Sequence, residues 1–143
     1  MTINEIQQEI VEEFSVYEDW MDKYSYLIEL GNELKDLDPK DKTDQNLIKG
    51  CQSRVWLVSD LTDGRIIFRA ESDAVIVKGL VALLLRVVSN RTPGEILDNE
   101  LFFVDEIGLK QHLSPTRSNG LLSMIKQIKL YAVAYNRISE KGD

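Results

Sequence analysis

One thiol is available to this chain, at Cys51, in the run Leu47-Ile48-Lys49-Gly50-Cys51-Gln52-Ser53-Arg54-Val55-Trp56. Thiolate is the reactive form of cysteine, and nearby cations or backbone amides lower the thiol pKa from about 8.5. Residues 45–59 contain Lys49 and Arg54 but no acid, although 24 of the 143 residues are acidic. The local field is therefore expected to favour a thiolate. Gly50 lets the chain turn sharply just before Cys51, so the sulfur is presented where a polar loop meets a strand. The competing reading is a small buried hydrophobe, a frequent fate of free cysteine. Composition and spacing leave both open.

His112, the single histidine, invites a Cys51/His112 dyad of the kind that activates cysteine hydrolases. No Asn or Asp that would orient the imidazole is evident, and a histidine that merely caps or packs is the alternative. Arg117 falls in the first turn of an expected helix, where a cation opposes the helix dipole; a salt bridge or a partner contact must hold it there. Asp73 also falls at a helix start, where capping already accounts for a carboxylate. One cysteine and one histidine cannot close a disulfide, supply the ligands of a usual zinc site, or hold an iron–sulfur cluster. No metal site is expected, and no glycine-rich phosphate loop is present. A regulatory binding module with an inert cysteine is a further reading.

The elements that would position these residues follow from patterning. Thr2-x-x-Glu5 and Ser15-x-x-Glu18 both have capping-box form, predicting a first helix to about Phe14 and a second opening at Ser15. The second should fray between Gly31 and Leu34. Residues 35–46 are polar, contain Pro39 and read as an exposed connection. Two β-branched and aromatic runs, residues 55–58 and 66–68, flank Asp63-Gly64 and predict an antiparallel hairpin. Ser72 and Asp73 are expected to start an almost wholly apolar helix over residues 75–88, in which Gly79 implies close backbone packing. Thr92-Pro93 and Ser114-Pro115 open further helices, the last burying Leu121, Ile125, Ile128, Ala132 and Tyr135. The final residues should be loose. The expectation is one α+β domain over residues 1–143, with a small antiparallel hairpin packed against helices at both chain ends.

Composition bounds the function. With 43% hydrophobic residues, a chain of this length can bury one sizeable core. A net charge of −7 and the absence of any Lys/Arg cluster argue against nucleic acid as a partner. The apolar stretch 74–88 is interrupted by Lys78 and Arg86 and is too short for a bilayer. The acidic N-terminal segment resembles neither a secretory signal nor a transit peptide, so a cytoplasmic protein without membrane contact is expected.

Gly50-Cys51-Gln52-Ser53 followed by Val55-Trp56 resembles the signature around the sulfur-accepting cysteine of the SufE family. Residues 24–31 (Tyr-Ser-Tyr-Leu-Ile-Glu-Leu-Gly), 72–79 (Ser-Asp-Ala-Val-Ile-Val-Lys-Gly) and 111–120 (Gln-His-Leu-Ser-Pro-Thr-Arg-Ser-Asn-Gly) are similar to the family in the same order. Residues 91–110 agree only in general character. The resemblance implies a SufE/IscU-like α+β fold, with a small antiparallel sheet of about three strands packed against helices at both chain ends. It also implies a sulfur carrier that takes a persulfide on Cys51 from a SufS-like, pyridoxal-phosphate (PLP) cysteine desulfurase, stimulates that enzyme, and serves a SufBCD-like iron–sulfur scaffold. On this view the chain has no cofactor and no catalytic turnover of its own, the PLP belonging to the desulfurase. Gly50, Gln52 and Ser53 would form the supporting loop, with Asp73, Arg117 and His112 near the docking surface. An IscU-type scaffold, by contrast, would need several cysteines.

Overall fold

The computed structural model describes residues 1–141; the expected loose end at 142–143 lies outside them. Helix α1 (Ile3–Ser15) starts from the predicted capping box, with the Thr2 hydroxyl accepting from the Glu5 amide and the Glu5 carboxylate accepting from the Thr2 amide. Its face of Ile3, Ile10 and Phe14 enters the core. Gln7 is also fully buried there. Its side-chain amide donates to the Glu100 carbonyl and accepts from the Phe103 amide, so no polar group is left unpaired.

Helix α2 (Trp20–Asn32) does not open at Ser15. The Ser15 hydroxyl is spent on the Glu12 carbonyl as the last residue of α1. Asp19, an equally good cap, accepts from the Asp22 amide and starts α2 instead. The following connection is pinned rather than freely exposed. Leu37 is buried, and its amide donates to the Glu71 carboxylate at 2.8 Å. Lys42 pairs with the same carboxylate.

Strands β1 (Val55–Thr62) and β2 (Arg65–Ser72) form the antiparallel hairpin, from Val55 opposite Ser72 to Thr62 opposite Arg65. Asp63 and Gly64 both have positive φ, 53° and 78°, matching the twist that a two-residue hairpin turn requires. Among the described residues the sheet has two strands, not three. Its outer edges each carry one isolated bridge, Leu47 to Trp56 and Ile66 to Arg91. The first cannot lengthen into a third strand because the chain turns away at Gly50, whose φ is +91°.

Helix α3 (Val75–Val88) crosses α2 at a contact made by two glycines. A Cβ on Gly79 would lie 2.3 Å from the Leu27 carbonyl oxygen, and one on Gly31 would lie 2.8 Å from the Gly79 nitrogen. Gly31 is thus a packing residue, not only the fraying point suggested by its position. Eight residues of α3 are buried. Helices α4 (Pro93–Asp98), α5 (Phe103–Glu106) and α6 (Leu109–His112) lead to α7 (Pro115–Lys141). Leu121, Met124, Ile128 and Ala132 seat α7 in the core, whereas Ile125 and Tyr135 are only partly buried against it. Among the described residues no helix is long and apolar enough to cross a membrane.

Candidate functional site

Three elements meet at Cys51. The loop that enters β1 carries Gly50, Cys51, Gln52 and Ser53; α3 supplies Val77; and the first turns of α7 supply Thr116, Arg117 and Gly120, with Met124 one turn further on. Around the sulfur they leave a cavity of about 20 Å³, room for about one small added group. Cys51 is half-buried, and its thiol donates to the Gly120 carbonyl at 3.5 Å. A Cβ on Gly120 would lie 3.4 Å from the sulfur. The missing side chain at this position lets α7 come close and still leave space beside the thiol.

Gly50 turns the loop in the left-handed region, and a Cβ there would collide with the Ser123 hydroxyl at 2.5 Å. The other end of the loop is held by Asp73. Its carboxylate accepts from the Arg54 amide at 3.0 Å, while its own amide donates to the Arg54 carbonyl at 3.2 Å. This corrects the expected capping role. Ser72 is the last residue of β2, and α3 starts after Ala74 with no side-chain cap. The hairpin register carries Asp73 opposite Arg54, one step beyond the Val55–Ser72 pair, and the carboxylate is used there.

The thiol is not poised as a thiolate. Burial, which disfavours the charged form, pushes the Cys51 pKa up. The expectation from Lys49 and Arg54 is overturned because neighbours in sequence need not face the sulfur. Lys49 lines a different cleft, and Arg54 is not among the residues around the cavity. The cation that does line it is Arg117, which is exposed and makes no ion pair among the described residues.

His112 stands apart from the cavity. Its ring stacks on Trp20 with centroids 4.1 Å apart, and Nδ1 is 3.0 Å from the Gly108 carbonyl oxygen. Its own carbonyl accepts from the Tyr24 hydroxyl. The imidazole ties α6 to α2 and forms no dyad with Cys51 in this conformation. Among the described residues, no group of acidic, histidine and cysteine side chains could hold a metal ion.

Residues 8–132 match the model of the SufE family, described as an Fe–S metabolism associated domain. The chain belongs to the SufE family. It is 42% identical over 126 residues to an uncharacterized SufE-like protein of Rhizobium meliloti (strain 1021), covering 85% of this chain and 90% of that one. The fold is also similar to the solution structure of a hypothetical protein from Thermus thermophilus. That match has a TM-score of 0.75 at 17% identity, covering 92% of this chain and 96% of the other, and at that identity it speaks for the α+β fold alone.

The structure brings Cys51, Gln52, Ser53 and Arg117 around one cavity, sets Gly50 and Asp73 at the two ends of the loop, and leaves His112 outside. Sequence reasoning did not single out Gly120, Val77, Thr116, Met124 or Ser123. A glycine six residues into an expected helix was the available signal for Gly120, because an interior glycine costs about 1 kcal/mol unless close packing requires it.

Proposed function

We propose that Cys51 accepts sulfane sulfur as a persulfide from a PLP-dependent cysteine desulfurase and passes it to an iron–sulfur assembly scaffold. The observation that carries this reading is a half-buried thiol beside a cavity of about 20 Å³, flanked by Gly120 and Arg117, in a chain of an Fe–S-associated family. In the transfer step, the Cys51 thiolate attacks the outer sulfur of a persulfide on the desulfurase cysteine. The original S–S bond breaks, the desulfurase leaves as a thiolate, and Cys51 keeps the outer sulfur. This is the chemistry of thiol–disulfide exchange and needs no external oxidant or reductant.

Burial keeps the undocked thiol protonated and slow to react with stray oxidants, since the thiolate is the form that oxidises. Docking that opens the loop to the partner lowers that desolvation penalty, and the Arg117 guanidinium stabilises the anion as the proton leaves. The chain acts as carrier and activator, in the cytoplasm, with PLP and C–S bond cleavage on the partner. Asp73 contributes by fixing the Arg54 end of the loop.

The test mixes this protein, a PLP-dependent cysteine desulfurase and free cysteine, then uses mass spectrometry to look for one added sulfur atom on Cys51. The expected adduct disappears in Cys51→Ser. Its absence from the wild type, or its persistence in the variant, overturns the carrier reading.

A further inference from the structure

A second cleft, of about 360 Å³, lies one helical turn along α7 from the thiol cavity, between residues 45–49 and the α7 face around Lys126. That volume falls at the lower end of ligand-binding clefts, about 300–1,000 Å³. Its charge has the opposite sign to the chain's. Lys49 and Lys126 line it and no acid does, in a protein of net charge −7. Lys49 and Lys126 make no ion pair among the described residues.

The lining also has an apolar component. Leu130 is 52% exposed and borders the cleft with Tyr131, while the side-chain amides of Gln45 and Gln127 offer hydrogen bonds. An isolated small anion would use the two cations and leave Leu130 in water. A peptide with carboxylates on either side of an apolar side chain would use both features. The position is also informative. Lys49 is two residues before Cys51, and Ser123, which lines the cleft, packs against Gly50. An occupant here grips the stem of the loop that carries the sulfur.

We infer that this cleft seats an acidic segment of a partner protein, with carboxylates at Lys49 and Lys126 and an apolar side chain against Leu130. The inference rests on the carrier reading for its purpose, which is to hold a partner beside Cys51 through contacts separate from the thiol.

The experiment records amide NMR shifts of the full chain during titration with the peptide acetyl-Glu-Asp-Leu-Glu-Asp-Phe-Glu-amide. The controls are the same peptide with Lys at every acidic position, and sodium glutamate. Saturable shifts confined to residues 45–49 and 123–131 are expected with the acidic peptide alone. Binding should weaken about tenfold or more in Lys126→Glu and in Leu130→Ser. Both positions are exposed, and the spectra themselves report whether the variants fold.

Absence of saturation at millimolar peptide, shifts scattered over the surface, or undiminished binding in Lys126→Glu overturns the inference. Equal response to sodium glutamate also overturns it, in favour of a small-anion site. Concentration-dependent shifts in this cleft without peptide overturn it in favour of self-association. Sulfur loading of Cys51, measured separately, decides the carrier reading. A peptide that binds a chain whose Cys51 never loads would keep the cleft and remove the carrier, and the converse result would do the reverse.

Discussion

The Cys51 thiol donates to the main-chain carbonyl of Gly120 at 3.5 Å, joining residues 69 apart in sequence. Because Gly120 has no side chain, the contact leaves open space beside the sulfur. Gly120→Ala places a methyl group 3.4 Å from the sulfur, an ordinary van der Waals contact that the fold tolerates but that takes room from an outer sulfur atom. Thermal stability should hold or rise, since alanine is the better helix former, while persulfide loading of Cys51 by a desulfurase should slow severalfold in a single-turnover mass-spectrometric assay. Unchanged loading would remove Gly120 from the site.

The pH dependence of Cys51 follows from its burial. A folded-state pKa raised above the unfolded thiol's value of about 8.5 means that the native state binds the proton more tightly. The stabilisation is fully present below about pH 8.5 and is lost as pH rises through the folded pKa. Two results are expected. Alkylation of native Cys51 should have its midpoint above that of the denatured chain, and the alkaline loss of stability should be smaller in Cys51→Ser.

Gly79→Ala should destabilise the protein although alanine is the better helix former. The new methyl group would lie 2.3 Å from the Leu27 carbonyl oxygen, so α2 and α3 must separate. Overpacking of this kind costs about 1–3 kcal/mol, to be read from urea denaturation with an unchanged m-value.

At Gly50, a side chain meets both a φ of +91° and the Ser123 hydroxyl at 2.5 Å. Gly50→Ala should cost about 1–2 kcal/mol from the backbone alone, with the collision added. Ser123→Ala should recover the collision component and leave the backbone component in place, a non-additivity that a double-mutant cycle measures.

Arg86 ties α3 to α1 by hydrogen bonds to Glu9 and Glu13, and the Tyr26 hydroxyl also donates to Glu13. Hydrogen bonding from Arg86 holds the Glu13 carboxyl below its usual range, and burial first, then the Glu13 hydrogen bond, pushes Tyr26 up to about 12. The Glu13 contribution is present above the unfolded carboxyl's pKa of about 4.3 and is lost as pH falls through the lower folded value. These side chains are partly solvated, so Arg86→Gln should cost about 1 kcal/mol at neutral pH. Titration with acid should show the difference shrinking below about pH 4.

The sequence by itself determined the elements whose signals are local. The Thr2 and Thr92 capping boxes, the Asp63-Gly64 turn and the apolar run of α3 depend on residues within a few positions of one another, and the structure has each of them. Motif resemblance likewise determined the family. Local pattern misled where a residue had a competing partner. Ser15 bonds backward to Glu12, and Asp73 reaches across the hairpin to Arg54.

Only the tertiary structure decided what surrounds the sulfur. Charge counted along residues 45–59 suggested a thiolate, whereas desolvation by α3 and α7 raises the thiol pKa. Gly120 reaches Cys51 and Arg117 lines the same cavity, whereas His112 stacks on Trp20 instead. Burial and electric field depend on distance in space, and a linear pattern carries neither until packing brings its distant parts together.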